Sequence, residues 1–131
     1  MGNWPGKNVK FSFEGFMSLF STIGFSLQFL LGLSAVILPG PMARILGFGT
    51  PLSLGVTEVR ATHGAFFLVL ALGGLAVSSS DISLVVGAAW AAASFCRFLS
   101  LIVEPNDRFK NIAGVLVEGV IAVFLLVGAR S

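Results

Sequence analysis

The 131-residue chain contains one cysteine, one histidine and no tyrosine, and charged residues make up only 11% of it. A lone Cys96 cannot form an internal disulfide, and beside a single His63 it leaves no Cys/His metal site to propose. No metal and no cofactor are therefore expected. The low charge content excludes an ordinary soluble domain, which carries roughly 25% charged residues. Phosphate loops are missing as well: Gly47-Phe48-Gly49-Thr50 has neither the spacing nor the lysine of a P-loop, and no GxGxxG opens a helix after a strand. The basic residues Lys7, Lys10, Arg44, Arg60, Arg97, Arg108, Lys110 and Arg130 are scattered, so no contiguous nucleic-acid-binding surface follows from them. Such charges suit loops that face lipid headgroups.

What the chain has instead is apolar sequence in long runs, with 56% hydrophobic residues overall. A bilayer span needs about 20 such residues. The runs predict four transmembrane helices, over about 16–38, 55–77, 82–103 and 112–129, in one domain covering 1–131. The expected fold is an all-α integral membrane four-helix bundle with both termini on the same side. The first run is longer than a signal-peptide core and is expected to stop at Pro39-Gly40-Pro41. Residues 42–54, interrupted by Arg44, two glycines and Pro51, read as an interfacial loop or short surface helix. Ser78-Ser79-Ser80-Asp81 and Glu104-Pro105-Asn106-Asp107 read as polar turns, and Trp4, ahead of Pro5, as an interfacial anchor.

Against this apolar background Glu58, Arg60, His63, Arg97 and Glu118 stand out. A lone charge at the membrane centre costs about 2.5–3.5 kcal/mol on insertion scales, so buried charges are expected to pair with one another. With the predicted spans, both acids and both arginines lie roughly 5–10 Å below the surface opposite the termini, at ~1.5 Å per residue. On an α-helical wheel Glu58 and Arg60 point about 200° apart and cannot pair with each other. Arg97 bridging Glu58 and Glu118 is the simplest neutral arrangement. His63 adds a group that titrates near pH 6.5 when unperturbed.

The first predicted helix is uncharged but carries Gly24, Gln28 and Gly32 at four-residue spacing. Small residues at that spacing permit close helix approach, and Gln28 can hydrogen-bond across it. Cys96 is expected to be a small buried filler. The thirteen phenylalanines suit lipid-facing helices and indicate no cofactor site.

Glu58-Val-Arg60-Ala61-Thr62-His63-Gly64, Arg97-Phe-Leu-Ser100, and the acid in Asn111-Ile-Ala-Gly114-Val-Leu-Val-Glu118 resemble a family of small bacterial four-helix membrane proteins. It is known chiefly as a domain of unknown function, with a Glu-x-Arg-Ala-x-aromatic-Gly signature; this chain has His63 where a tyrosine is expected. The resemblance covers roughly residues 16–129 and implies a multi-pass protein of the bacterial inner (cytoplasmic) membrane, with no reaction attached. A looser similarity in size and helix count is to DoxX-like proteins. Three functional classes follow as expectations. The first is a non-enzymatic accessory, scaffold or lipid- or partner-binding subunit, in a homo-oligomer or larger membrane complex. The second is a homo-oligomeric proton-coupled small transporter using Glu58 or Glu118. The third is a DoxX-like quinone-linked redox protein. Membrane lipids are the expected partners and nucleic acid is not; dominance of the first helix favours cytoplasmic termini.

Overall fold

The computed structural model describes residues 6–47, 53–103 and 108–130, with side chains over 18–47, 54–103 and 108–130. Trp4, Pro51 and the Glu104–Asp107 turn lie outside the described residues. Every described element is helical: α1 (Gly6–Ile37), α2 (Pro39–Ile45), α3 (Ser53–Glu58), a π-helical segment (Val59–Phe66), α4 (Phe67–Val77), α5 (Ser80–Val103) and α6 (Arg108–Gly128). The stretches Ser18–Ile37, Leu54–Val77, Ser80–Val103 and Arg108–Gly128 are each long and apolar enough to cross a bilayer.

The helices run beyond the apolar stretches from which they were predicted. α1 begins at Gly6 rather than near residue 16, so the polar residues after Pro5 are helical. α6 begins at Arg108 rather than 112, and α5 at Ser80 rather than 82. Hydrophobicity marks where a helix can sit in lipid; intrahelical hydrogen bonding continues past that limit until a breaker or turn intervenes. Pro39-Gly40-Pro41 does more than end α1. It forms the first turn of α2, where the missing proline N–H groups cost nothing and φ is already helical. The turn after α4 is made by Ser78, left-handed at φ 49°, whose N–H reaches the Gly74 carbonyl at 3.0 Å.

The second apolar stretch is not a plain α-helix. From Val59 to Phe66 it winds as a π-helix, in which residues five apart align. Val59 and Gly64 are accordingly both buried. Thr62 contributes to the distortion, because its hydroxyl donates to the Glu58 carbonyl at 2.7 Å and competes with the backbone for it.

α5 and α6 pack along each other, α6 packs on α1, and α1 packs on the π segment and α4; α4 and α5 meet only sparingly. Phe20 stacks beside Phe124 at 5.5 Å, so the early part of α1 and the late part of α6 lie at the same end of the bundle. That end is closed. Phe25, Val86, Trp90, Ile121, Ala122 and Leu125 form its core. Gly24 and Gly74 permit the packing: a Cβ on Gly24 would come within 2.8 Å of Leu125, and one on Gly74 would overlap the Phe25 ring.

Toward the other end the bundle divides. Buried residues on α5 stop at Trp90, and those on α6 begin only at Ile121. Beyond that level α1, α2 and the π segment keep a separate small core of Ala35, Ala43 and Val59. Gly32 and Gly64 set this second contact, since a Cβ on Gly32 would lie 3.1 Å from the Gly64 carbonyl oxygen and one on Gly64 would lie 2.7 Å from Val36 Cγ2. Two helical groups therefore share one core at the terminal end and part at the other.

Candidate functional site

The boundary between the closed and parted halves carries a buried polar bridge. Gln28 on α1 is fully buried; its amide nitrogen donates to the Phe67 carbonyl at 3.2 Å, and its Oε1 accepts from Trp90 Nε1 at 2.9 Å. The Phe67 and Trp90 rings meet at 5.0 Å. One glutamine thus ties three helices together at the level where α4 and α5 otherwise separate. The accepting carbonyl belongs to the first residue after the π segment, where the regular α ladder resumes. The Gly24-Gln28-Gly32 stripe serves four neighbours: α6 at Gly24, α4 and α5 at Gln28, and the π segment together with α4 at Gly32.

Within the parted half, α5 and α6 hold the ion pair. Arg97 Nε donates to Glu118 Oε1 at 2.7 Å, with the Glu118 side chain 12% exposed and that of Arg97 31% exposed. Gly114 makes room: a Cβ there would sit 2.7 Å from Arg97 Cδ and 2.9 Å from Nε. Ser94 Oγ donates to the Val115 carbonyl at 3.0 Å and reinforces the same interface. Glu118 Oε2 is buried and has no hydrogen-bond partner among the described residues. An orphaned buried acceptor of this kind costs about 1–3 kcal/mol.

The remaining members of the expected cluster fall elsewhere. Glu58 is exposed and makes no ion pair among the described residues, so Arg97 bridges no second acid. The physical reason is that the second and third apolar helices barely touch here and the π segment alters the wheel. Arg60 is also exposed; its Nε reaches the Val36 carbonyl at 3.4 Å and supplies a donor to the unpaired carbonyls ending α1. His63 is half-buried. Its Nδ1 lies 2.9 Å from Thr62 Oγ1, and its ring meets Phe67 edge-on at 5.6 Å. Cys96 is exposed on α5 rather than buried, because the α5 face that packs on α6 passes through Ser94 and Arg97.

Two cavities lie outside the pair. A groove of about 370 Å³ runs between α1 and α6, lined by Leu27, Leu30, Leu31, Leu116, Val117 and Val120. At the closed end a small cavity of about 40 Å³ is lined by Ser21, Thr22, Ser78, Ser79 and Ser83. It has room for a water, but the hydroxyls of Thr22, Ser78 and Ser83 already donate to carbonyls of their own helices or turn. Among the described residues no group of three His, Cys, Asp or Glu side chains is placed to hold a metal.

No family model, no curated protein and no solved structure matches this chain.

Proposed function

We propose that this chain is a non-enzymatic multi-pass protein of the bacterial inner membrane, with cytoplasmic termini, that serves as an accessory or scaffold subunit binding lipid or a partner. The observation that carries this reading is the parted half of the bundle: a pair of helices holding Arg97 and Glu118 stands away from the other helical group. An apolar surface that includes Leu30, Val69, Phe95, Ile102 and Val123 must meet lipid or protein. Arg97 lies six residues before the end of α5, about 9 Å along the helix. Since α5 is 24 residues long, about 36 Å, it exceeds a ~30 Å hydrocarbon core. The arginine therefore sits a few ångströms inside the apolar layer, within reach of headgroups.

Native mass spectrometry of the tagged protein, extracted from its own membrane without detergent, tests the proposal. Retained lipid or a stoichiometric partner supports it; a bare homo-oligomer overturns it. A second reading, a homo-oligomeric proton-coupled transporter, draws support from the orphaned Oε2, which makes Glu118 rather than the exposed Glu58 the proton carrier. In proteoliposomes containing a pH-sensitive dye, that reading expects proton flux that Glu118→Gln abolishes. Equal flux in both proteins refutes it.

A further inference from the structure

The geometry points to a two-fold dimer of this chain, in which the α1 helices of two copies pack in parallel along one seam and lie in each other's groove beside α6. It rests on the membrane-spanning reading above and adds a second copy as partner. Along α1, Phe20, Ile23, Leu27, Leu30, Ser34 and Ile37 recur at alternating steps of three and four residues. That is the heptad spacing of a coiled-coil seam. It is not the face that α1 turns to its own bundle, which is the arc of Gly24, Phe25, Gln28, Gly32 and Ala35. Leu30 and Ile37 on the seam are 57% and 64% exposed. The groove of about 370 Å³ opens on this seam: Leu27, Leu30 and Ser34 line its α1 wall, and Leu116, Val117 and Val120 its α6 wall. Ser34 donates to the Leu30 carbonyl at 2.8 Å, so its hydroxyl needs nothing from an occupant.

What fills the groove is decided where α1 leaves the bundle. Phe20 stacks beside Phe124 at 5.5 Å, a Cβ on Gly128 would overlap Ser21, and the Ser78–Ser80 turn shares a cavity with Ser18 and Ser21. The other long helices therefore end level with residues 18–22, whereas α1 begins at Gly6. Residues 6–17 add roughly 18 Å of helix, of which a headgroup layer covers roughly 5–8 Å. The rest stands in water. In the sequence the same register runs on through Val9, Phe13 and Phe16, while Lys7, Lys10 and Glu14 fall on an arc about 120° away. Acyl chains can fill the groove within the bilayer, but they cannot follow the seam beyond it. A helix can, and an apolar stripe in water is stabilised by burial. Two copies inserted the same way round bring identical seams together in parallel, the isologous contact of a two-fold dimer.

Single cysteines introduced into the Cys96→Ser protein test the seam, with copper–phenanthroline oxidation in membranes of the expressing cells. Phe13→Cys, Phe16→Cys and Leu30→Cys lie on it; Lys7→Cys and Glu14→Cys do not. Seam cysteines of a parallel pair approach the roughly 4.4–6.8 Å between Cα atoms that a disulfide needs, and should give at least about tenfold more linked dimer than the others. Equal linking on both arcs, or none on the seam, overturns the interface. Phe13→Glu combined with Phe16→Glu sets like charges on the seam beyond the bilayer and the end of the bundle, so the spans still insert and pack. In native mass spectrometry of detergent-free extracts this variant should raise the Kd of the dimer at least about tenfold, with lipid or partner retained as in wild type. A dimer that survives the change overturns the seam. A wild-type monomer that retains lipid or a different protein also overturns it and leaves the accessory reading standing. A seam-linked dimer that holds neither supports the interface and overturns that reading.

Discussion

Replacing Gln28 with leucine should weaken the bundle more than the change in volume suggests. The substitution removes both hydrogen bonds of a fully buried amide and leaves the Trp90 indole N–H facing an apolar side chain. Interhelical hydrogen bonds in membrane bundles are worth about 0.6–1.7 kcal/mol each, and an unpaired buried donor costs about 1–3 kcal/mol. The Phe67 carbonyl keeps its place in the α4 ladder and loses less. A net cost near 2 kcal/mol follows, roughly a thirtyfold shift in the unfolding equilibrium. Reversible unfolding in mixed micelles, followed by circular dichroism, measures it. Trp90→Phe and the double variant complete a cycle whose coupling should be about 1 kcal/mol. Costs that add to within about 0.3 kcal/mol would show that the three helices are not joined through this amide.

Arg97→Gln alone should cost about 2–3 kcal/mol, discounted from the fully buried case because the arginine is partly exposed, whereas pairing it with Glu118→Gln should recover at least half; a double variant that melts below the single one contradicts this. Gly74→Ala drives a methyl into the Phe25 ring and should cost about 1–3 kcal/mol, with Phe25→Leu restoring part of the loss in the same thermal melt. Thr62→Val removes the hydroxyl that takes the Glu58 carbonyl, so amide exchange over 59–66 should slow as the π segment tightens; unchanged exchange would show that the hydroxyl has no part in the distortion. Cys96→Ser should leave stability within about 0.5 kcal/mol, since the thiol faces outward.

The composition and the four apolar runs were enough to establish the helical class and the long helices among the described residues, because the length and hydrophobicity that suit a helix to cross a bilayer are displayed locally by each run. Pairing between Arg97 and Glu118 was half-legible. Two opposite charges at similar depth on consecutive helices point to one another, and α5 and α6 do pack closely. The bridge to Glu58 was not, for it assumed a compact bundle and a regular wheel. The π turn changes the angular step at Val59–Phe66, and nothing in residue spacing announces it apart from the Thr62 hydroxyl. Cys96 was misplaced for a similar reason: small size suits burial, but only the choice of contact face decides it.

Sequence by itself determined the long apolar helices, since hydrophobicity and helical rise act residue by residue. The tertiary structure alone decided that α4 and α5 part, that Gln28 closes the gap with Trp90 and Phe67, and that Arg97 pairs with Glu118 and not with Glu58. These outcomes depend on which glycines let two helices approach and which large side chains hold others apart. Such packing is settled between distant segments, and no local pattern encodes it.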